Sequence, residues 1–383
     1  MEGVAARWLD RAPAAWDALV ASDPAAAPSH RPELWAAFTA TNPSLSLRFA
    51  AVERDGVLVG GAPALIERRG GLHWVHALPM LLNAAPLASA GEREAVDAAV
   101  AGAIASLAES CGAAGGEWAL HRPGATAAAA EALARAAEPV GGETRWLEAS
   151  IVDLSQGIDA AAKRVSRKHR QSMRQSRDRG LVFAEEPGAL EGVYALHLSQ
   201  SRAWGAHRPQ PLALSRALLA HGAARLFTLR RNGELLSGTL ALDGAHETFA
   251  WWSGTHPEGR RLNAFPLLLW SVAEWAAGAG RTRFNLGAST GLQMVASFKS
   301  ALGATTERYP VRWLDARHAP APARALAALQ SFVRRGRELG AKDAVTERSH
   351  GAGAKQESSE AARGAGAKHE SSEAAHGAGG AEL

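Results

Sequence analysis

The apolar positions of this chain fall into one pattern that occurs twice. From Leu47 the segment LRFAAVERDGVLVGGAPALIERRGGLHWVHALP holds apolar runs of strand length, broken at Asp55-Gly56 and at Arg69-Gly70-Gly71. Such pairs between apolar runs signal tight turns, because their left-handed backbone suits glycine, asparagine and aspartate. The segment predicts a three-strand meander. From Ala224 the segment ARLFTLRRNGELLSGTLALDGAHETFAWWSGTHP repeats the layout. At a constant offset of 177, Asp55-Gly56 falls on Asn232-Gly233, Gly61 on Gly238 and Trp74 on Trp251. Each meander precedes an apolar helical stretch and a short strand, at 95–110 and 117–121 in the first copy and at 264–277 and 283–286 in the second.

Two related units are therefore expected, at 1–150 and 151–325, the second carrying the active site. Helix, meander, helix and strand in that order predict an α/β fold, each unit a mixed, largely antiparallel sheet flanked by helices. From Gly351 the chain reads GAGAKQESSEAAR, then GAGAKHESSEAAH, then GAGG. This repeat has no aromatic or β-branched residue and cannot offset its ordering entropy, so 340–383 is expected to be a disordered tail.

Composition narrows the class. Of 383 residues, 47% are hydrophobic and 21% charged, as in ordinary globular chains. A single cysteine, Cys111, leaves no disulfide framework and no cysteine zinc site, and fits a reducing compartment. His73, His76 and His121 lack ligand spacing, so no metal is expected. The N-terminus MEGVAARWLDRAP has no signal-like apolar core, and no run of about 18 apolar residues is present to span a membrane. The longest apolar stretch, 77–90, is broken by Pro79 and Pro86. A cytoplasmic protein is expected, with peripheral contact at the inner membrane face left open.

The net charge of +4 hides a local cluster. In 163–179, eight basic residues stand against the single acid Asp178. Arg167, Arg170, Arg174 and Arg177 are spaced three, four and three apart, which places them on one helical face closed by Gly180. A solvated surface helix explains such a stripe, and so does a clamp for phosphates. A second candidate is WSGTHPEGRRLN, from Trp252 to Asn263, which leaves the last meander strand and enters a helix capped by Asn263. A loop feeding a helix N-terminus can hold an anion, with Gly254, Arg260 and Arg261 assisting. A third is FNLGASTGLQMVASFKSALGA, in which a strand ends at Gly287, a small-residue loop follows and Phe298-Lys299 sits on the next helix, with Asn285 in the strand. No P-loop occurs.

Taken in order, these motifs resemble those of Fem-type transferases. The shared features are the basic helix ending at Gly180, SRAWGAHRPQP at 201–211, the apolar helix before F-N-x-G, Phe298-Lys299 with its small-Leu-Gly turn, and ALPMLLNAAPLAS in the first half. The resemblance spans about residues 10–315. It implies tandem GNAT folds that transfer an acyl or aminoacyl group to an amine. Shorter members sit in exopolysaccharide or cell-envelope pathways and are taken to use acyl-CoA; no inserted coiled-coil arm for tRNA is visible here. The pyrophosphate loop departs from the tighter GNAT glycine pattern.

The resemblance places backbone N–H donors for the oxyanion near Trp252 and Ser253, and gives Lys299 a phosphate or the developing charge. It gives Arg167, Arg170 and Arg174 an anionic substrate or the donor's phosphates, and adds Trp204, Arg208, Asn285 and Phe298 to the substrate site. Gly254, Arg260, Arg261 and Asn263 would bind the acyl-CoA. No base stands out among His207, His256 and Glu258. The acceptor would be an amine on a glycan, peptide or small molecule bearing anionic groups. Three alternatives stay open: an aminoacyl-tRNA-dependent peptidoglycan ligase, a non-catalytic GNAT scaffold, and a nucleic-acid-binding protein using the basic helix.

Overall fold

The computed structural model describes residues 4–77, 82, 84–203, 209–289 and 292–317, with 319, 321, 324 and 325. The repeat at 340–383 lies outside the described residues. The first half runs β1 (Ala5–Leu9), α1 (Trp16–Ser22), α2 (Pro32–Thr41), β2 (Leu45–Arg54), β3 (Val57–Arg69), β4 (Leu72–His76), β5 (Leu87–Ala88), α3 (Arg93–Ser110), β6 (Gly116–Ala119), α4 (Ala127–Ala136) and β7 (Glu143–Asp153). The second half runs α5 (Ile158–Arg164), α6 (Arg167–Asp178), β8 (Val182–Glu185), α7 (Leu190–Ala203), α8 (Leu212–Ala220), β9 (Ala224–Arg231), β10 (Glu234–Asp243) and β11 (Glu247–Thr255). It ends with α9 (Pro257–Arg261), α10 (Ala264–Gly278), β12 (Arg283–Asn285), α11 (Gln293–Ala301) and β13 (Thr305–Leu314).

The turn signals act as expected. Asp55 and Gly56 take φ of 52° and 77°, and Asn232 and Gly233 take 51° and 82°. Both pairs close hairpins whose twist matches the strands. The duplication reaches finer detail. Val59 is skipped in the β2–β3 register and Leu236 in the β9–β10 register, so a bulge recurs at the same offset.

All the strands join one mixed sheet in the order β1-β2-β3-β4-β6-β13-β7-β12-β11-β10-β9-β8, with β5 pairing to β3 off this path. The order is a palindrome built by exchange. The first half's last strand, β7, lies against β12 of the second half, and the second half's last strand, β13, lies against β6 of the first. At the centre β7 and β13 pair antiparallel from Ile151 opposite Thr305 to Glu143 opposite Trp313. Neither half completes its sheet without the other.

Side chains alternate across each strand, so the second half buries both faces. Leu226, Leu240 and Leu242 join a core with α2, α3, α7 and α8. Phe227, Leu229 and Ala241 join another under α6 and α10. Two arginines staple the halves together. Arg31 donates to the carbonyls of Gly222 at 3.0 Å and Asp243 at 2.9 Å, and Arg283 to that of Ala26 at 2.9 Å.

Candidate functional site

The two parallel central strands of the second half part company after three residues. Glu247, Thr248 and Phe249 of β11 pair with Arg283, Phe284 and Asn285 of β12, and the pairing stops there. The cause is a competing strand. Beyond Asn285 the chain follows β7: Leu286 N–H donates to the Ser150 carbonyl at 2.8 Å, and Ser150 N–H to the Gly287 carbonyl at 3.1 Å. Meanwhile β11 stays with β10 as far as Thr255. A crevice opens between them, with one edge of β11 left unpaired by β12.

Just past the split, β11 carries a bulge in its ladder with β10. Trp252 lies opposite Leu240 and Ala250 opposite Ala241, so Trp251 is the extra residue. A bulge re-aims backbone groups and disrupts the ladder locally. Helix α7 lies directly over it. A β-carbon on Gly254 would sit 2.5 Å from the His197 backbone nitrogen, and one on Gly238 would sit 2.4 Å from a Val193 methyl. These two glycines are paired neighbours on β11 and β10, so together they let α7 settle onto the sheet. At Gly254 the missing side chain makes room for a helix.

The close approach puts a histidine against the bulge. His197 is 3% exposed and its Nδ1 lies 2.8 Å from the Ser253 carbonyl. A carbonyl only accepts, so Nδ1 carries a proton and donates it to Ser253. The imidazole packs 4.9 Å from the Trp252 ring, whose buried Nε1 has no hydrogen-bond partner among the described residues. Ser253 Oγ donates to Thr239 Oγ1 at 2.9 Å. His197 escaped sequence reasoning because nothing local marks it; the sign lay in Gly238 and Gly254, far along the chain.

Past β11, the segment expected to run straight into a long helix first forms the short α9. His256 Nδ1 accepts from Glu258 N–H at 3.3 Å, capping that turn, and Glu258 pairs with Arg261 at 3.0 Å. Neither His256 nor Glu258 is placed as a base. Arg260 Nη1 reaches the Thr255 carbonyl at 3.3 Å. Asn263 does not cap α10 as predicted: it takes φ 52°, ψ 39°, and its side chain makes no capping bond.

Lys299 is brought to the floor of the crevice. Its Nζ donates to the carbonyls of Gly287 at 2.9 Å and Ala288 at 2.8 Å, and burial lowers its pKa to about 8. Phe298 beside it packs between Phe265 at 5.6 Å and His169 at 5.7 Å. Burial, with Lys168 nearby, lowers the His169 pKa. Asn285, expected to touch substrate, is fully buried with both ends of its amide engaged, so it belongs to the frame.

The basic stripe divides by partner. Ser166 caps α6 by accepting from His169 N–H at 3.3 Å, and Gly180 ends it at φ 79°. Arg170, itself exposed, donates from Nη1 to the carbonyls of Ala162 and Val165, and Arg177 pairs with Glu274 at 2.6 Å. Arg167 and Arg174 are exposed on α6. Trp204, His207 and Arg208 lie outside the described residues.

In the first half the corresponding crevice is filled. There β4 and β6 pair parallel only at Val75–Gly116 and His76–Glu117. Beyond them, Ala77, Ala84 and Ala85 N–H donate to the carbonyls of Glu117, Ala119 and His121 at 2.9, 3.2 and 2.7 Å. The chain's own backbone occupies the space that lies open in the second half.

Residues 161–300 match the family described as Acetyltransferase (GNAT) domain. No curated protein matches. Among solved structures, that of FemX shares 12% identity at a TM-score of 0.64, covering 80% of this chain and 96% of FemX. The C-terminal domain (DUF2156) of a putative lysylphosphatidylglycerol synthetase from Agrobacterium fabrum shares 15% identity at 0.50, covering 83% of this chain and 94% of that one. A conserved protein of unknown function from Bacteroides thetaiotaomicron shares 11% at 0.50, covering 80% and 98%.

Proposed function

We infer a Fem-like GNAT acyltransferase from this fold, with the crevice inside the matched GNAT region. We propose that the protein is an N-acyltransferase that takes an acyl group from acyl-CoA or a similar thioester and passes it to an amine on an anionic, envelope- or polysaccharide-related acceptor. The observation that carries this reading is the crevice between β11 and β12 with the Trp251 bulge just past the split. A thioester in that crevice presents its carbonyl to the backbone N–H groups around Trp252 and Ser253, where the tetrahedral oxyanion develops.

The acceptor amine attacks the carbonyl carbon, forming the C–N bond. The C–S bond breaks, and the nitrogen's surplus proton passes to the departing thiolate. Fixing the amine and thioester in one geometry supplies much of the acceleration, because a bimolecular encounter becomes a local one. Lys299 holds the floor of the crevice and supplies positive charge beneath the donor. Arg167 and Arg174 supply charge for the anionic groups of the acceptor or the donor.

Calorimetry with acetyl-CoA and free CoA on the full chain tests the reading, beside Lys299→Ala. Micromolar binding by the wild type that Lys299→Ala weakens supports it. Absence of binding to every CoA species would sink it and favour an aminoacyl-tRNA donor or a non-catalytic role.

A further inference from the structure

A buried carboxylate outside the crevice is wired to its floor. Glu247, the first residue of β11, is 1% exposed and accepts from Arg283 Nε at 3.2 Å and Asn285 Nδ2 at 3.0 Å. An anionic acceptor fixes the Asn285 amide with its NH₂ towards Glu247 and its oxygen away. That oxygen accepts the Gly287 N–H at 2.7 Å. Gly287 holds φ 71°, a left-handed conformation, and its carbonyl receives Lys299 Nζ. Every polar group along this route is engaged, and the bonds run from Glu247 through Asn285 and Gly287 to Lys299.

The route spans the point where the strands separate. Glu247 belongs to β11, Asn285 to β12, and Gly287 is where the chain has already joined β7. A β-carbon on Gly287 would meet the Phe249 ring at 3.1 Å, at the last paired residue before the split. The orientation of one amide therefore sets the direction in which the chain leaves β12 and where the Lys299 ammonium sits.

We propose that Glu247 is a positioning residue for the transfer site, acting through Asn285 and Gly287 to set the crevice opening and the place of the Lys299 ammonium. The inference rests on the reading of the crevice as the donor site. Arg283, the other partner of Glu247, also donates to the Pro24 carbonyl at 2.5 Å and the Ala26 carbonyl at 2.9 Å, which ties the arrangement to the first half.

The test is an exchange of groups. Glu247→Gln leaves an amide facing an amide, and Asn285→Asp leaves a carboxylate facing a carboxylate; the double variant places one of each again, with the bond between them reversed. After Asn285→Asp, either oxygen of the new carboxylate can still accept the Gly287 N–H. In full-length protein with ¹⁵N-labelled lysine, both single variants are expected to shift the Lys299 ¹⁵Nζ resonance and weaken CoA binding about tenfold. The double variant should restore both towards wild type. Single variants that melt earlier yet leave the Nζ resonance and CoA affinity unchanged would overturn the proposal. If neither single variant folds, the double variant decides alone: a folded double with a displaced Nζ resonance also overturns it. Should wild type bind no CoA, the donor reading fails separately, while the Nζ comparison still judges the relay.

Discussion

Gly254 on β11 lies so close beneath His197 on α7 that a β-carbon there would sit 2.5 Å from the His197 backbone nitrogen. Backbone atoms of a packed helix cannot yield as the end of a side chain can. Gly254→Ala must therefore push α7 off the sheet, at a cost of about 1–3 kcal/mol typical of overpacking. The expected outcome is a melting temperature lowered by several degrees, with transfer activity falling as well because β11 is disturbed beside its bulge. Gly278→Ala is the matched control. Nothing lies within 4 Å of that position at the end of α10, so it should be neutral or slightly stabilising. Equal losses in both variants, read by thermal melting, would refute the close-packing account.

The repeat, its turns and the order of elements could be read from the sequence because each rests on local chemistry: Asp55-Gly56, Asn232-Gly233, the apolar helices. The offset that aligned those turns also aligns Val59 with Leu236, the bulged residues. The exchange of β7 and β13 was not legible, since strand order depends on contacts between residues far apart in the chain, such as Ile151 with Thr305. Site residues divided in the same way. Lys299 stood out by its motif, whereas Glu247 and His197 have no local signature and gain meaning only through Asn285 and Ser253. Arg170, Arg177 and Asn285 carried suitable chemistry, and the fold gives each of them internal partners.

Lys299 gives a stability signature with a definite sign. Its pKa in the folded protein is lowered by burial from 10.5 to about 8. Below pH 8 the amine is charged in both states, and the folded protein bears the full penalty of holding that charge away from water. Between about pH 8 and 10.5 the folded state releases the proton while the unfolded state keeps it, so stability rises with pH across that window. Lys299→Met lacks this term. The stability of wild type minus that of Lys299→Met should therefore increase by on the order of 1–3 kcal/mol from pH 7.5 to 10.5. Urea denaturation at several pH values measures it, and a flat difference would mean that the ammonium is not penalised by its site.

One donor should bind per chain, although the architecture is duplicated. In both halves two parallel strands pair for two or three residues and then diverge. The space so created differs in its contents. In the first half Ala84 and Ala85 donate to the carbonyls of Ala119 and His121, completing the ladder where a ligand would lie. On its other side, Leu120 N–H donates to the Pro310 carbonyl of the exchanged strand β13 at 2.9 Å. A donor entering there would have to displace backbone hydrogen bonds from a buried site, leaving groups unsatisfied at about 1–3 kcal/mol each. In the second half no described backbone follows the β11 edge beyond Phe249. Calorimetric titration with CoA is therefore expected to give a stoichiometry of one, and a variant that weakens binding at the Lys299 site should remove the whole of the heat. A stoichiometry of two, with half the heat surviving in Lys299→Ala, would show that the first-half backbone yields to a ligand and that both crevices function.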